Sequence, residues 1–256
     1  MKSRYKLILL GCLTLVAILF TVMMKPVSQD PSYHRFSDSR TFLGIPYFVN
    51  VISNFPFVLV GMLGLFLLPK ATAPKGIIVM YAILFSGILL TGFGSAWYHV
   101  HPDNGTLVYD RIPMTIVFMA LLSATIGELI DLTLGLWLLA PLLMLGVISV
   151  LWWSYTESAG RGDLRMYGLV QYYPMLFIPL ILALFPAPAG NPGARQLIWV
   201  VVWYIIAKLC EKFDSQVYSF TGFISGHSLK HLAAAMATWY LVRMFRVNHL
   251  AIGSKN

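Results

Sequence analysis

Charged residues are scarce in this chain of 256 residues: they make up 11% of the sequence, whereas hydrophobic residues make up 58%. A typical soluble domain contains about 25% charged residues, so this sequence lacks the side chains needed to cover a surface in water. The mean hydropathy of +0.75 supports the same conclusion. We therefore predict an integral membrane protein.

Acidic residues and cysteines are also few. The sequence contains ten Asp and Glu residues and 18 Lys and Arg residues, which gives a formal net charge of +8. The basic residues lie mostly in short loops and near the ends of the chain, a distribution typical of membrane topology rather than of a nucleic-acid-binding surface. The two cysteines, Cys12 and Cys210, lie in apolar runs and form neither a disulfide framework nor a thiolate metal site. We expect no nucleic-acid partner and no obligate protein partner.

Long apolar runs, in contrast, are abundant. A membrane-spanning helix needs about 20 predominantly apolar residues, and eight runs approach or exceed this length. They lie near residues 7–24, 46–68, 76–100, 109–130, 132–153, 166–186, 196–214 and 227–245. We predict an all-α, multi-pass transmembrane helical bundle, with one N-terminal helix in residues 1–30 and a seven-helix core in residues 31–256.

The first run has a basic start, with Lys2, Arg4 and Lys6. It is too long for an ordinary signal peptide and lacks a clear cleavage site, which favours an uncleaved signal anchor over removal. The apolar run continues past Cys12, which disfavours lipidation at that residue. The distribution of Lys and Arg among the loops predicts a protein of the cell (inner) membrane with both termini in the cytoplasm.

Two histidines at the start of the last run, His227 and His231, are four residues apart. A helix advances 3.6 residues per turn, so they share one face, where two imidazoles can bind one metal ion. His99, at the end of the third run, is the natural third ligand. In the predicted topology Ser95 and Asp110 lie at the same depth as the histidines, near the extracytoplasmic side. Because ionisable groups are costly in a bilayer, this agreement predicts a shared functional site.

Three neutral imidazoles and an open position are typical of a catalytic zinc site, whereas four protein ligands close a structural site. Zinc lowers the pKa of a bound water to about 7 and polarises a carbonyl oxygen. Asp110 is a candidate to accept the proton of that water and return it to a leaving amine. Ser95 is a candidate to donate a hydrogen bond to the oxyanion or to orient Asp110. Two alternatives are that the histidines only form interhelical hydrogen bonds, and that His101 replaces His99 if the helix ends early.

Other polar and aromatic residues lie near these positions. Lys208, Glu211 and Asp214 recur along one side of the seventh run, a pattern typical of interhelical salt bridges or interfacial side chains. Glu211 or Asp214 is also a candidate acceptor for the N–H of a metal-bound imidazole. Trp97 and Tyr98 are candidates for the lining of an acyl channel.

Three segments together resemble a known family. They are Gly-Phe-Gly-Ser-Ala-Trp-Tyr-His ending at His99, Asp-Arg-Ile-Pro-Met beginning at Asp110, and Gly-His-Ser-Leu-Lys-His ending at His231. They are similar to the alkaline ceramidases, within a wider group of seven-helix hydrolases that also includes the adiponectin and progestin receptors. The resemblance implies that His99, His227 and His231 bind zinc, that Asp110 is the acid/base residue and that Ser95 is the supporting hydroxyl.

The resemblance covers about residues 38–246 and implies hydrolysis of the amide of a ceramide-like lipid, taken from the bilayer, to a fatty acid and a long-chain amine. The sequence departs from the family in two places. The eukaryotic enzymes carry an acidic, tryptophan-containing calcium site before their first core helix. Residues 30–48 offer only Asp30 and Asp38 and no matching cluster, so calcium is not carried over. In addition, Lys230 lies where an aromatic residue is frequent. The alternative functions are a receptor-like protein with structural zinc and a proton-coupled transporter.

Overall fold

The computed structural model describes residues 3–187 and 191–250, which contain α-helices and short 3-10 helices but no β-strand. The α-helices are α1 (Ser3–Met23), α2 (Phe48–Ile52), α3 (Phe55–Leu67), α4 (Lys75–Val100), α5 (Asn104–Leu129), α6 (Leu132–Ser158), α7 (Arg165–Leu184), α8 (Gln196–Lys212), α9 (Asp214–Thr221) and α10 (Gly226–His249). The predicted all-α class is confirmed. Lys2, part of the basic start, lies outside the described residues.

Within the described part of the chain, seven helical segments are long and apolar enough to cross a membrane, and α1 is one of them. The last helix, α10, has 24 residues, but polar residues such as His227, Lys230 and His231 lower its hydropathy. It nevertheless packs inside the bundle, against α8 and α3. The chain is therefore a multi-pass membrane protein whose seven-helix core consists of α3 to α8 and α10.

Helix α1 lies outside this core, and none of its described residues is buried. It contacts α7, where the hydroxyls of Thr14 and Tyr173 are 2.7 Å apart. The ammonium of Lys6 donates a hydrogen bond to the carbonyl of Leu184 at the end of α7. Cys12 is exposed on α1, and the helix continues without a break past it. The role of residues 1–30 as an uncleaved anchor stays a prediction.

The end of α4 and the start of α5 lie side by side. A capping box begins α5, because Asp103 accepts the N–H of Thr106 at 2.7 Å and the hydroxyl of Thr106 accepts the N–H of Asp103 at 3.2 Å. The two helices touch at Gly94, where a Cβ atom would collide with the carbonyl oxygen of Tyr109. Residues near the end of α4 and the start of α5 are therefore brought to the same end of the bundle.

Residues 24–47 fold over this end of the bundle. Phe36 and Asp38 are buried, and the N–H of Ser37 donates to Asp214 Oδ2 at 3.0 Å. Arg40 donates from Nε and Nη2 to the two carboxylate oxygens of Asp38, at 2.8 and 2.7 Å. These hydrogen bonds hold the pKa of Asp38 below its usual range. The segment is thus anchored to the bundle and forms a cover over it.

A polar cluster closes the other end of the bundle. The carboxylate of Glu128, at the end of α5, accepts hydrogen bonds from Tyr81, Asn191, Asn248 and His249 at 2.7 to 2.9 Å. These contacts connect α4, α5 and α10 far from the predicted site. Because His249 binds Glu128, it does not join the other histidines of α10.

Candidate metal centre

Three buried histidines meet at the covered end of the bundle. His99 lies in the last turn of α4, whereas His227 and His231 lie in the first two turns of α10. The Nε2 atom of His99 is 3.2 Å from the Nε2 atoms of both His227 and His231, and one ligand nitrogen of each lies within 4.8 Å of the others. The fold therefore brings together the two histidine motifs that the sequence separates.

Two of the distances between these nitrogens, from His99 to His227 and from His99 to His231, fit a tetrahedral metal ion. Zinc binds histidine nitrogens at about 2.0–2.1 Å, so two nitrogens of one tetrahedral site lie about 3.3 Å apart. A neutral imidazole has one N–H and one lone pair. One cation can accept the lone pairs of all three Nε2 atoms that face one another. The donor set thus fits zinc, with a further position open.

Contacts with the preceding helices place both histidines of α10. Ser225 caps α10 and accepts the N–H of Ser228 at 3.1 Å. Asp214 Oδ1 accepts the backbone N–H of His227 at 2.7 Å, and a Cβ atom at Gly226 would collide with the carbonyl oxygen of Cys210. Asp214 therefore positions the helix through the backbone and does not accept an imidazole N–H, the role for which the sequence made it a candidate.

The side chain that orients His231 is Ser53, which follows α2. Its hydroxyl donates to the carbonyl of Asn50 at 2.9 Å and lies 2.8 Å from Nδ1 of His231. Because its own proton is already used, Ser53 accepts the N–H of His231. Nδ1 is therefore protonated, and the Nε2 lone pair points to the other two histidines. No motif in the sequence marked Ser53 for this role.

Phe36 forms an apolar wall against the other two histidines. Its ring centroid is 4.6 Å from that of His99 and 4.4 Å from that of His227. The ring excludes water from that side of the cluster, which strengthens electrostatic interactions within it. His231, in contrast, lines an internal cavity. The cluster is thus closed on the Phe36 side and accessible on the His231 side.

Ser95 and Asp110 line the same cavity as His231, and all three side chains are buried. Ser95 directly follows Gly94, the point of contact between α4 and α5, and Asp110 directly follows Tyr109, its partner in that contact. The close approach of the two helices therefore places the serine and the aspartate beside the histidine cluster. The structure brings together all five residues that the sequence selected.

The cavity has a volume of about 440 Å³ and extends from these polar residues into the bundle. Along α5 its lining runs from Asp110 to Leu121, and along α10 from Lys230 to Leu241. Each path covers 11 residues, which corresponds to about 16 Å of helix. Beyond the polar end the lining is mainly apolar, with Ile88 as one member. Such a shape suits a long hydrocarbon chain with its polar end at the histidines.

Charged residues at the polar end of the cavity were not assigned to it from the sequence. The ammonium of Lys230 lies 3.0 Å from Nε2 of His227 and 3.2 Å from Oε1 of Glu211, and Lys208 binds the other oxygen of Glu211 at 2.5 Å. Glu211, the second candidate acceptor for an imidazole N–H, thus binds two lysines instead. The predicted interhelical salt bridge is present between Glu211 on α8 and Lys230 on α10, and both residues line the cavity.

Three other residues near His99 do not take part in the site. His101 follows the end of α4, is exposed, and packs on Trp97 with ring centroids 5.8 Å apart. The ring of Tyr98 is buried, and its hydroxyl lies 2.9 Å from Nδ1 of His34. Neither Trp97 nor Tyr98 lines the cavity. The expectation that they form an acyl channel is therefore wrong, and the alternative of His101 as a ligand finds no support in its position.

Membrane-spanning helices around a deep apolar cavity, beside a buried three-histidine cluster that could hold a metal ion, define an integral membrane protein. The ceramidase family model matches residues 44–186, more than half of the chain. The chain belongs to the ceramidase family, and the predicted resemblance is confirmed. Ser95, His99 and Asp110 lie in the matched region, whereas His227 and His231 lie beyond it and join the site through the fold. No curated protein matches the chain.

Proposed function

We propose that the protein is a zinc-dependent hydrolase that cleaves the amide bond of a ceramide-like N-acyl lipid to a fatty acid and a long-chain amine. Membership of the ceramidase family supports hydrolysis of an amide. The observation that carries the proposal is the convergence of the Nε2 atoms of His99, His227 and His231 beside a cavity that Asp110 also lines.

The three histidines would hold the zinc ion, and two of them are supported by other parts of the chain. His231 is oriented by Ser53, and His227 is held through its backbone by Asp214. When bound, zinc supplies a Lewis acid for the carbonyl oxygen and a water molecule that ionises near neutral pH. The cavity lies on the His231 side, so the substrate carbonyl approaches from there.

Asp110 moves the proton in this proposal. Its carboxylate accepts a proton from water as the water oxygen attacks the carbonyl carbon, and it delivers that proton to the amide nitrogen as the C–N bond breaks. The products are a fatty acid and an amine, and Asp110 returns to its starting state. Ser95 donates a hydrogen bond either to the developing oxyanion or to Asp110.

The substrate enters from the bilayer and places its acyl chain between α5 and α10. The distribution of Lys and Arg among the loops supports an orientation with the site on the extracytoplasmic side of the cell membrane and both termini in the cytoplasm. Cysteine labelling tests this orientation in a chain with Cys12→Ser and Cys210→Ser. A membrane-impermeant reagent should label Ser215→Cys in intact cells and should not label Lys75→Cys. The reverse pattern would invert the topology.

Metal content and turnover of the purified protein test the proposal directly. We expect about one zinc per chain and hydrolysis of a fluorescent ceramide. His99→Ala should lose both, whereas His101→Ala, an exposed histidine two residues further on, should keep both. Bound zinc without turnover of any N-acyl lipid would favour a receptor-like protein. Absence of zinc together with proton-driven flux in proteoliposomes would favour a transporter.

A further inference from the structure

A buried arginine lies next to Asp110 in the cavity lining. Arg111 donates from Nη2 to Oε1 of Gln29 at 2.6 Å. Its guanidinium carbon lies 4.1 Å from the ring centroid of Trp153 and 4.5 Å from that of Tyr167. Nη1 is buried and has no hydrogen-bond partner among the described residues. Arg111 is only 5% exposed, and it lines the cavity.

No described carboxylate forms a salt bridge with Arg111. Glu157, on the neighbouring α6, accepts hydrogen bonds from the backbone of Gln29 and the indole of Trp153 instead. Aromatic faces stabilise a guanidinium only in part, whereas removing a charge from water without an ionic partner is costly. An unpaired cation inside a membrane protein therefore indicates that a bound anionic ligand supplies its ionic partner.

Two further cations line the same cavity. Lys208 and Lys230 share the single carboxylate of Glu211. With Arg111 they place cations on three helices, α5, α8 and α10, around one cavity. Asp110 and Glu211 are the carboxylates of the inner lining, and Asp30, which also borders the cavity, is exposed and caps the 3-10 helix Pro31–His34. Among the described residues, Arg111 therefore lacks an ion pair although carboxylates line the same cavity.

We infer that the lipid hydrolysed by this protein carries an anionic group, such as a phosphate, sulfonate or carboxylate, on its amine side, and that Arg111 binds this group. The inference rests on the proposed function. The acyl chain occupies the apolar length of the cavity, so the amine side lies at the polar end, where Arg111 adjoins Asp110. A planar guanidinium binds such oxyanions through two parallel hydrogen bonds. A neutral ceramide head offers no group that matches this charge.

The test compares substrates that share one acyl chain. The zinc-loaded full chain is given a neutral ceramide, a ceramide phosphate, a sulfonate-bearing N-acyl amine and an N-acyl amino acid with a free carboxylate. We expect kcat/KM for at least one anionic substrate to exceed that for the neutral one by about tenfold or more, as a charge-assisted hydrogen bond implies. The substrate with the highest kcat/KM identifies which anionic group the site prefers: phosphate, sulfonate or carboxylate.

Variants locate the preference on Arg111. Arg111→Met should lower the ratio of anionic to neutral kcat/KM towards one, mainly through KM for the anionic lipid, whereas Arg111→Lys should keep part of it. Lys212→Met removes an exposed cation that does not line the cavity, and it should leave the ratio unchanged. If Arg111→Met does not fold, the wild-type ratio and Arg111→Lys still decide the question.

Two negative results have different meanings. A wild-type enzyme that hydrolyses neutral ceramide as well as or better than every anionic lipid would overturn the inference and leave the proposed function intact. A zinc-loaded protein that hydrolyses none of the lipids would overturn the proposed function. In that case native mass spectrometry of the protein with the same four lipids tests the anionic ligand, because equal retention of neutral and anionic lipids would overturn the inference as well.

Discussion

The hydroxyl of Ser53 lies 2.8 Å from Nδ1 of His231 and gives its own proton to the carbonyl of Asn50. The serine therefore acts as an acceptor, and it keeps the proton of the imidazole on Nδ1. In this tautomer the lone pair of Nε2 faces His99. A residue between the short α2 and α3 thus prepares a histidine of α10 for metal binding, at a separation of 178 residues in the chain.

Ser53→Ala should weaken zinc binding without removing any proposed ligand. Loss of the hydrogen bond that orients a metal-bound histidine typically costs about 10–100-fold in affinity. Competition against a zinc chelator measures the change. Ser149→Ala is the control, because its buried hydroxyl bonds only to the carbonyl of Gly146 in its own helix. Equal zinc affinities for the two variants would show that Ser53 does not orient the ligand.

Asp110→Asn should stop catalysis while zinc remains bound. An amide cannot take up and return the proton, so we expect kcat to fall by about 10²–10⁴-fold. Turnover of an N-acyl lipid and zinc content are measured on the same sample. Asp131→Asn provides the control, since Asn also caps a helix well and Asp131 is an exposed N-cap of α6. If Asp110→Asn kept a normal kcat, Asp110 would not be the residue that transfers the proton.

Much of this fold and site follows from patterns that sequence alone displays. Long apolar runs predict the helices because a bilayer demands them, and in the part of the chain that the structure describes seven helical segments are apolar enough to span. The i, i+4 spacing predicts that His227 and His231 share a face. Topology then places His99 at the same depth. Each of these predictions depends on a regular spacing in the sequence or on a constraint that the membrane imposes.

The remaining residues were missed because their roles depend on contacts that no period encodes. Phe36 lies in an irregular segment, yet its ring covers two of the histidines. Lys230 and Glu211 are identifiable as charged residues, but only the packing of α8 against α10 turns both towards the cavity. The orphaned nitrogen of Arg111 is visible only when its surroundings are known. For Lys230, Glu211 and Arg111, a charge inside an apolar run was the one signal available.

Gly94→Ala should disturb the junction of α4 and α5. The added methyl group would collide with the backbone carbonyl of Tyr109, and overpacking of this kind costs about 1–3 kcal/mol. The shift also displaces Ser95 and Asp110, so kcat should fall together with thermal stability. Gly168→Ala, on α7, meets nothing within 4 Å, and a helical alanine should stabilise by about 0.5–1 kcal/mol. Equal stability of both variants would contradict this account of Gly94.

The ion pair of Asp163 and Arg165 connects the loop before α7 to the end of α1. Arg165 donates from Nε and Nη2 to the carboxylate at 2.9 and 2.8 Å, and from Nη1 to the carbonyls of Val22 and Met24 at 3.0 and 2.7 Å. The hydrogen bonds from Arg165 to the carboxylate lower the pKa of Asp163 from 3.8 to about 2. The pair therefore stabilises the contact of α1 with the core when Asp163 is ionised.

The pH dependence of this contribution has a definite sign. Because the pKa of Asp163 is lower in the folded than in the unfolded state, its stabilisation is complete above about pH 4 and is lost as the pH falls through about 2. Thermal unfolding in detergent should show wild type more stable than Asp163→Asn near pH 6, and the difference should shrink towards pH 2. Arg165→Met should show the same loss, since it removes the partner. A difference that is constant with pH would contradict an ionised Asp163 as its source.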